Sequence, residues 1–525
     1  MDPLAVNYQG FPILSFIVAM PMLAAFILLI VPDRMRLLVR LVPLTAASLS
    51  TAAAVYLAWA SAHFGGAKLL FVERYDVVPS LGIEYVLAAD GWGASLVLLT
   101  GIIIFAGVWM SWSETNRTRE FFIFLMVLVG GVFGVFLSQN LFIFFLFYEI
   151  AVLPMYLLIG VWGTSSKIVD AGPFRWALRM FDIGGKEYAG MKLTLMLLAG
   201  SAIILAALLA MYWKADGTFL MQDLAKADFP VAFQVVLFPA VWIGFGTLGG
   251  LWPFHTWSPD GHASAPTAVS MLHAGVLMKL GAFGVIRVGM ILLPEGAQAW
   301  AFVVGTVAVV NIVYGALAAM GQKDLKYIIA YSSVSHMGVV MLGAATLTMN
   351  GWNGAVFQMF AHGIMTGLFF ALVGVVYERT HDRWIPHMGG LAVVMPLAAG
   401  FFTLGGLSSL GMPGTSGFVA EFLVFLGAWQ SDNWWWAIAG ALGAFLTALY
   451  ILRAARLIFW GEGPAERFEK LQDARGPELV GLWVMATAIV VFGLWPRLLL
   501  DIIDGATPGY LANIVGTLVA VGGAS

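Results

Sequence analysis

Three ionisable residues lie within long apolar runs of the sequence. Glu149 lies in LFIFFLFYEIAVLPMYLL, Lys279 lies in HAGVLMKLGAFG and Glu421 lies in SGFVAEFLVFLGAW. A charged side chain at the centre of a membrane helix costs about 3 kcal/mol on insertion scales, so such residues usually mark an ion or proton pathway. We therefore expect the three side chains to bind and release protons.

Three histidines also lie in or near apolar runs: His273, His336 and His362. Imidazole titrates near physiological pH, so a histidine between other ionisable groups can relay a proton. A single buried histidine is more often a packing residue, but three of them between two carboxylates and a lysine favour a relay. No spacing of histidines and carboxylates resembles a metal site, so we expect this chain to bind no metal.

Each buried charge also has a structural explanation. Glu149 could be a structural glutamate satisfied by a tyrosine or by the backbone, and Glu421 could favour the positive end of a helix dipole after a helix break. Lys279 could extend its ammonium group to the membrane surface. That last explanation is weak, because Lys279 lies about a dozen residues into a helix that starts near Pro266.

The elements that would position these residues are membrane helices. The 525-residue chain is 61% hydrophobic and only 10% charged, less than half of the ~25% charged residues of typical soluble proteins. Apolar runs of about 20 residues recur along the chain, each enough to cross a bilayer, and the alternating segments of a membrane β-barrel are absent. The sequence predicts an all-α polytopic membrane protein with about fourteen transmembrane helices. The predicted spans lie near residues 12–31, 38–62, 90–112, 119–137, 140–163, 191–213, 229–252, 265–293, 298–320, 325–347, 354–377, 390–430, 434–459 and 478–499.

Two of the predicted helices are interrupted by glycine and proline. The seventh breaks at Gly249, Gly250 and Pro253, and the twelfth breaks within LSSLGMPGTSG, residues 407–417. Transporters use duplicated units with discontinuous helices, because a break near the middle of the membrane exposes backbone dipoles and admits water. Two breaks five spans apart therefore indicate an internal repeat.

The charges of the loops predict an orientation. With the amino terminus outside, most of the 26 Lys and Arg residues fall on the inner side, as the positive-inside rule requires. Both termini are then expected on the outer, periplasmic side. The first residues lack the basic region of a signal peptide, so we expect no cleaved leader. The chain contains no cysteine, which excludes disulfides and thiolate-held iron–sulfur clusters.

Four segments resemble a known protein family. They are FYEIAVLPMYLLIGVWG, PFHTWSPDGHASAPTAVSMLHAGVLMKLGAFGVIR, DLKYIIAYSSVSHMG and LGMPGTSGFVAEF. In this order they are similar to segments of the antiporter-like membrane subunits of respiratory complex I. They most resemble the M-type subunit (NADH-quinone oxidoreductase subunit M), the counterpart of mitochondrial NADH dehydrogenase subunit 4. The resemblance covers roughly residues 85–500.

The resemblance implies a fold of two inverted five-helix repeats in which helices seven and twelve are broken. On this basis the chain would divide into four parts. They are helices 1–3 (residues 1–118), a first repeat of helices 4–8 (119–293), a second repeat of helices 9–13 (298–460), and an inner loop with helix 14 and a C-terminal tail (461–525).

The resemblance also implies residue roles. Glu149 matches the glutamate of the family's fifth helix, Lys279 its central lysine and Glu421 its terminal glutamate. His336 and His362 match histidines of the central polar axis. In such a complex NADH, FMN, iron–sulfur clusters and quinone are expected in other subunits, and this chain is expected to hold no cofactor.

The sequence departs from the M-type pattern at Leu248. The family carries a lysine there, five residues before the proline of the corner that here reads Pro253–Phe254–His255. The lysine expected to pair with Glu149 is therefore missing, whereas His273 looks more like a residue of the L-type subunits. Either Lys279, His273 or water replaces that lysine in the relay, or this unit pumps differently or not at all.

These observations predict a proton-translocating membrane-arm subunit of a complex I-type NADH:quinone oxidoreductase in the inner (plasma) membrane of a bacterium. Its predicted proton relay comprises Glu149, Lys279, Glu421, His336, His362 and His273. The expected partners are neighbouring antiporter-like and other membrane-arm subunits and the lipid bilayer, with no nucleic acid. The alternatives are a subunit of a Mrp-type cation/proton antiporter or of a membrane-bound hydrogenase, or a non-pumping structural spacer in such a complex.

Overall fold

The long apolar runs of the sequence form the helices of the structure, a computed structural model that describes residues 10–65, 69–165, 184–461, 468 and 470–522. Within these residues, thirteen helices are long and apolar enough to cross a membrane. The chain begins with α1 (Ile13–Ile30), α2 (Arg36–Ala60), α3 (Gly91–Met110), α4 (Thr118–Leu137), α5 (Leu141–Trp162), α6 (Lys186–Lys214) and α7 (Val231–Leu248). Next come α8 (Thr267–Met290), α9 (Pro294–Gly321), α10 (Leu325–Ala345) and α11 (Met349–Thr380). The last in this series are the shorter α12 (Pro396–Ser409) and α13 (Ser416–Gln430), then α14 (Trp435–Ile458) and α15 (Pro477–Leu494).

Short polar side chains begin several of these helices. Asp90 caps α3, Asn140 caps α5, Asp324 caps α10 and Thr348 caps α11, each by accepting a hydrogen bond from a backbone N–H of the first turn. The first N–H groups of a helix have no partner within the helix, so such caps fix where each helix starts. Two of these capped helices, α10 and α11, carry residues of the site.

The predicted seventh and twelfth spans each contain an interruption in the structure. The helix α7 ends at Leu248, a single 3-10 turn covers Phe254–Thr256, and a short helix covers Trp257–Ser264 before α8 begins. The predicted twelfth span consists of α12 and α13. Neither α12 nor α13 is long enough alone to cross a membrane, so the pair together accounts for the span that the sequence places there.

A β-hairpin on the side of α1 is an element that the sequence analysis did not predict. The strands β1 (Leu70–Val78) and β2 (Ile83–Ala89) pair antiparallel, with Tyr75 opposite Tyr85. The Glu73 carboxylate accepts hydrogen bonds from the N–H groups of Leu14 (2.9 Å) and Ser15 (3.0 Å). A carboxylate at this position stabilises the start of α1, because it satisfies free N–H groups and complements the helix dipole.

The residues predicted only as a C-terminal tail form a further helix, α16 (Arg497–Gly522). One face of α16 is fixed by hydrogen bonds. Thr507 accepts a bond from the indole N–H of Trp92 (3.0 Å), and Tyr510 donates to Asp90 (2.5 Å). These contacts hold the helix against the start of α3.

The most deeply buried helices are α8, α10 and α11. The most apolar stretches of α8 and α11 are 100% buried and that of α10 is 94% buried, whereas α1, α6, α14 and α15 are less than half buried. A helix that is apolar on all sides and buried on all sides lies at the centre of a helical assembly. These three central helices carry Lys279, His336 and His362.

Some predictions concern residues outside the described part of the chain. The placement of the two chain ends depends on residues 1–9 and 523–525, and part of the predicted inner loop is residues 462–467 and 469. The two inverted repeats remain a prediction.

Candidate proton relay site

Lys279 lies at the centre of the protein and is fully buried. It stands in an α-helical stretch, Met278–Gly284, between two π-helical stretches at His273–Leu277 and Val285–Met290. π-helical turns are rare and occur frequently at functional sites. The Lys279 ammonium group donates a hydrogen bond to the Ala274 carbonyl, and its Nζ lies 2.8 Å from Nδ1 of His362.

Two glycines bring α8 and α11 close enough for this contact. A Cβ added to Gly363 would lie 2.6 Å from the Gly275 carbonyl oxygen, and a Cβ added to Gly275 would lie 3.2 Å from the Gly363 carbonyl oxygen. Only glycine permits so close an approach of two backbones. Because Gly363 follows His362 in the chain, this crossing point places the imidazole beside Lys279.

From His362 the polar groups continue through His336 to Glu421. The rings of His362 and His336 are stacked, with centroids 5.2 Å apart and an interplanar angle of 29°. Nδ1 of His336 lies 3.5 Å from Oε1 of Glu421 and 3.2 Å from Nε2 of Gln358, and Nε2 lies 3.1 Å from the Ser409 hydroxyl. We call Lys279, His362, His336 and Glu421 the relay chain.

Glu421 reaches His336 because the chain breaks between α12 and α13. The break contains Gly411 at a φ of +69°, and a Cβ there would lie 2.7 Å from Oε2 of Glu421. A glycine therefore both adopts the left-handed turn and leaves room for the carboxylate. The explanation of Glu421 as a helix-dipole partner does not fit, because it is the sixth residue of α13 and dipole effects fall off within the first turn.

His273 is near the relay chain but is not hydrogen-bonded into it. Its ring lies 4.1 Å from the ring of His262 and stacks on Trp257 at 5.2 Å. Neither of its nitrogens has a hydrogen-bond partner among the described residues, and the same is true of Nδ1 of His262. Nε2 of His262 lies 3.3 Å from the sulfur of Met278, the neighbour of Lys279. Sequence reasoning missed His262, since it lies in a polar corner where a histidine is unremarkable.

Glu149 lies apart from the relay chain, on the face of α5 that points away from the protein interior. It is half-buried, and Leu146 and Leu153, one turn before and after it, are 45% and 58% exposed. Residues at these spacings share one helix face. The Ser201 hydroxyl lies beside both Tyr148 and Glu149 without hydrogen-bond geometry, and Oε1 of Glu149 has no partner among the described residues.

Aromatic side chains fill the space between α5 and α8. Phe245 of α7 packs edge-on against Phe144 (5.8 Å) and Tyr148 (5.7 Å) of α5. On its other side, a Cβ added to Gly284 of α8 would lie 2.4 Å from the Phe245 ring. The position where the M-type pattern has a lysine, Leu248, is 1% exposed and belongs to the apolar core. The structure therefore brings Lys279, His362, His336 and Glu421 together and leaves Glu149 outside.

A second buried cation on α8, Arg287, differs from Lys279 because it has a counter-ion. Arg287 is 3% exposed, and its guanidinium lies 2.7 Å from the Asp90 carboxylate and donates to the Tyr510 hydroxyl. Lys279 has no carboxylate within 4.0 Å among the described residues. A buried charge with a counter-ion is stably satisfied, whereas an unpaired one is costly. Lys279 is thus the α8 cation that has no counter-ion among the described residues.

The described residues hold no group of three or more His, Asp or Glu side chains arranged to bind a metal ion. The chemistry that the relay chain can perform is proton binding and transfer between nitrogen and carboxylate groups.

Comparisons with known proteins identify the family of this fold. Residues 179–447 match the family model described as NADH:quinone oxidoreductase/Mrp antiporter, TM. NAD(P)H-quinone oxidoreductase chain 4 from a Synechococcus species is 38% identical over 521 residues, covering 98% of this chain and 95% of the relative. The chain belongs to this family of antiporter-like membrane subunits. Chain 4 from a Nostoc species is 36% identical over 527 residues, covering 99% of this subunit and 94% of the relative.

Solved structures share the fold of this antiporter-like subunit. A chain of respiratory complex I from Thermus thermophilus with bound NADH has a TM-score of 0.84 and 27% identity, and the match covers 96% of this chain and 99% of that one. A chain of the Mrp complex from a Dietzia species has a TM-score of 0.80 at 21% identity and covers 95% of this chain and 98% of that chain, which indicates a common fold alone. The predicted resemblance to the M-type, or chain 4, branch is confirmed. The prediction of a polytopic helical membrane protein is also confirmed.

Proposed function

We propose that this antiporter-like subunit translocates protons in the membrane arm of a complex I-type NADH:quinone oxidoreductase. The observation that supports it is the relay chain, a row of four buried ionisable groups from Lys279 to Glu421. In this proposal NADH oxidation and quinone reduction take place in other subunits, which hold the FMN, iron–sulfur clusters and quinone. The membrane is the inner (plasma) membrane of a bacterium, and both chain ends face the outer side.

A proton reaches Lys279 from the inner side and leaves past Glu421. The first transfer is direct, since 2.8 Å separates Nζ of Lys279 from Nδ1 of His362. The step to His336 requires water, because the two rings are stacked at 5.2 Å and proton transfer needs hydrogen-bond reach or one bridging water. Nε2 of His362 and Oε1 of Gln358 have no partner among the described residues, and buried polar atoms of this kind bind internal water.

Electrostatic repulsion drives the proton along this route. Two unit charges ~6 Å apart interact by nearly 3 kcal/mol at an effective dielectric constant of ~20. Protonation of Lys279 therefore strongly disfavours a second charge on His362, and a charge change beside Lys279 displaces its proton. We assign that charge change to the neighbouring membrane-arm subunits, and we place Glu149, on the outward face of α5, at the contact with one of them. Two five-helix units, residues 119–293 and 298–460, support the route from opposite sides.

The test is proton translocation by the complete complex in sealed vesicles. Lys279→Met and Lys279→Arg should both abolish translocation by this subunit while the complex assembles, because methionine cannot bind a proton and arginine cannot release one. Lys214→Met is the matched control, since Lys214 is exposed at the end of α6. Wild-type numbers of protons per quinone in either Lys279 variant would overturn the proposal.

A second candidate is cation/proton exchange of the Mrp type, which the description of the matching family model includes. Replacing sodium by choline in the same vesicle experiment separates the two. Translocation that is independent of sodium supports the proton-pumping subunit, and strict dependence on sodium supports the exchanger.

A further inference from the structure

A cavity enters the protein on the side predicted to face inward. Its volume is 400 Å³, and it lies between the end of α3, the end of α11 and the start of α10. Glu114 and Glu378 line its walls, and Ala265 and Lys326 are also among its lining residues. The cavity is separate from the relay chain, none of whose residues lines it.

Lys326, in the first turn of α10, is a second buried lysine. It is 4% exposed, and its ammonium group donates a hydrogen bond of 2.7 Å to the Ala265 carbonyl. The nearby carboxylate of Asp324 is already paired with Arg383 at 2.6 Å. Lys326 therefore resembles Lys279: it is buried, it donates to a carbonyl, and no carboxylate lies within 4.0 Å among the described residues.

A series of polar groups extends from the floor of this cavity toward Lys279. The Ser270 hydroxyl lies 3.1 Å from the Ala265 carbonyl and 3.0 Å from the His262 carbonyl. The His262 imidazole contacts His273 and lies within electrostatic range of both Lys326 and Lys279. Three imidazole nitrogens of this histidine pair have no hydrogen-bond partner among the described residues.

We infer that Lys326 is the residue that loads protons into this subunit from the inner side, and that His262 and His273 carry them from Lys326 to Lys279. The inference rests on the proposed function and specifies where its proton uptake begins. The protonated ammonium of Lys326 releases one proton toward His262 through water, and the neutral amine takes one proton from the cavity. Glu114 and Glu378 place two carboxyl groups at the cavity wall, where they can bind protons and pass them on toward Lys326.

A purely structural role for Lys326 would be to anchor the Ala265 carbonyl. Arginine retains a positive charge and hydrogen-bond donors but cannot release a proton. Lys326→Arg should therefore lower proton translocation by about tenfold or more in a complex that assembles normally. Wild-type translocation in Lys326→Arg would show that the residue is an anchor and would overturn the inference.

The absence of cysteine from the chain permits a second, chemical test. Lys326→Cys introduces the only thiol of this subunit, and an aminoethyl thiosulfonate applied to the inner face of inside-out vesicles adds an amine to that thiol. A methyl thiosulfonate reacts with the thiol in the same way but attaches an uncharged methylthio group. We expect Lys326→Cys to lose translocation by about tenfold, to be modified from the inner side, and to recover activity with the aminoethyl reagent alone.

Two controls complete the design. Ser113→Cys lies in the cavity lining and should be modified from the same side without loss of activity. The cysteine-free subunit in the same complex reports any reaction at thiols of other subunits. Three results would each overturn the inference. They are failure of the reagents to modify Lys326→Cys, full translocation by Lys326→Cys before any reagent is added, and equal recovery of translocation with both reagents. If Lys326 variants pump normally while Lys279 variants do not, only the loading role fails and the proposed function stands.

Discussion

We call the region around Glu149 the first half of this subunit and the region from Lys279 to Glu421 the second half; each adjoins a helix break, but they contain different groups. In the second half, Lys279 leads through His362 and His336 to Glu421. Nζ of Lys279 lies 2.8 Å from Nδ1 of His362, the two imidazole rings have centroids 5.2 Å apart, and Nδ1 of His336 lies 3.5 Å from Oε1 of Glu421. In the first half, Glu149 stands alone on the outward face of α5, and Phe245 and other aromatic rings fill the interior beside it. A broken helix alone does not make a proton route; buried ionisable groups must adjoin it.

The packing at the two breaks explains this difference. At the first break, a Cβ added to Gly281 of α8 would lie 2.2 Å from the backbone nitrogen of Gly249, so two backbones meet with no side chain between them. At the second break, Gly411 faces the carboxylate of Glu421. One set of glycines closes the interior and the other makes room for a charge. We therefore expect protons to pass from Lys279 to Glu421, and the region around Glu149 to respond to neighbouring subunits.

The largest effect should follow from cutting the relay chain at its shortest contact. His362→Leu removes the group that faces Lys279 and should reduce proton translocation by about a hundredfold, at the lower end of typical proton-transfer contributions. The rate of vesicle acidification during NADH oxidation measures it. His63→Leu is the control, because His63 is exposed and distant in sequence. Near-normal acidification in His362→Leu would remove the distinction between the halves.

A smaller loss is expected at the end of the relay chain. Glu421→Gln retains the size and hydrogen bonding of the side chain but cannot take a proton, and bridging water replaces part of its function, so translocation should fall by about tenfold. The exposed Glu187 on α6 supplies the matched control, Glu187→Gln. Equal rates in both variants would mean that the route leaves the protein elsewhere.

A still smaller effect is expected in the first half. Glu149→Gln should change translocation by about twofold or less, as for substitutions outside a buried network. The same vesicle assay reports it, with Glu187→Gln again as the reference. A loss as large as that of His362→Leu would show that both halves belong to one route.

The smallest effect on pumping is expected from restoring the family lysine. Leu248→Lys should leave the number of protons per quinone unchanged, because aromatic side chains fill the space between α5 and α8. Its cost should appear as a lower yield of assembled complex, since a charge placed in a buried apolar position costs about 3 kcal/mol. Leu248→Met controls for the change of shape. A gain in proton number that disappears when Glu149 is also changed would contradict this account.

The sequence was sufficient to find the relay chain because its members are polar residues in apolar helices. Lys279, His336, His362 and Glu421 interrupt long hydrophobic runs, and membrane burial makes such residues rare. Their contacts could not be predicted, since the approach of Gly275 to Gly363 depends on how two distant helices cross.

Other groups gave no comparable signal. His262 and Lys326 lie where the chain is locally polar, in a helix break and in the first turn of a helix. The helix α16 was missed because Asp501, Asp504 and Pro508 interrupt its apolar character. The hairpin of β1 and β2 was missed because its strands carry charged residues such as Glu73 and Arg74. The isolation of Glu149 was predicted only in part. Leu248 in place of the family lysine indicated a missing partner, but the aromatic packing around Phe245 could be seen only in the structure.

The most direct test of the relay chain is the number of protons translocated per quinone reduced, measured for His362→Leu and Glu149→Gln in the same vesicle preparation. This ratio is independent of how much complex assembles, so it separates proton conduction from stability. We expect a lower ratio in His362→Leu and an unchanged ratio in Glu149→Gln. An unchanged ratio in His362→Leu, or an equal decrease in both variants, would contradict it.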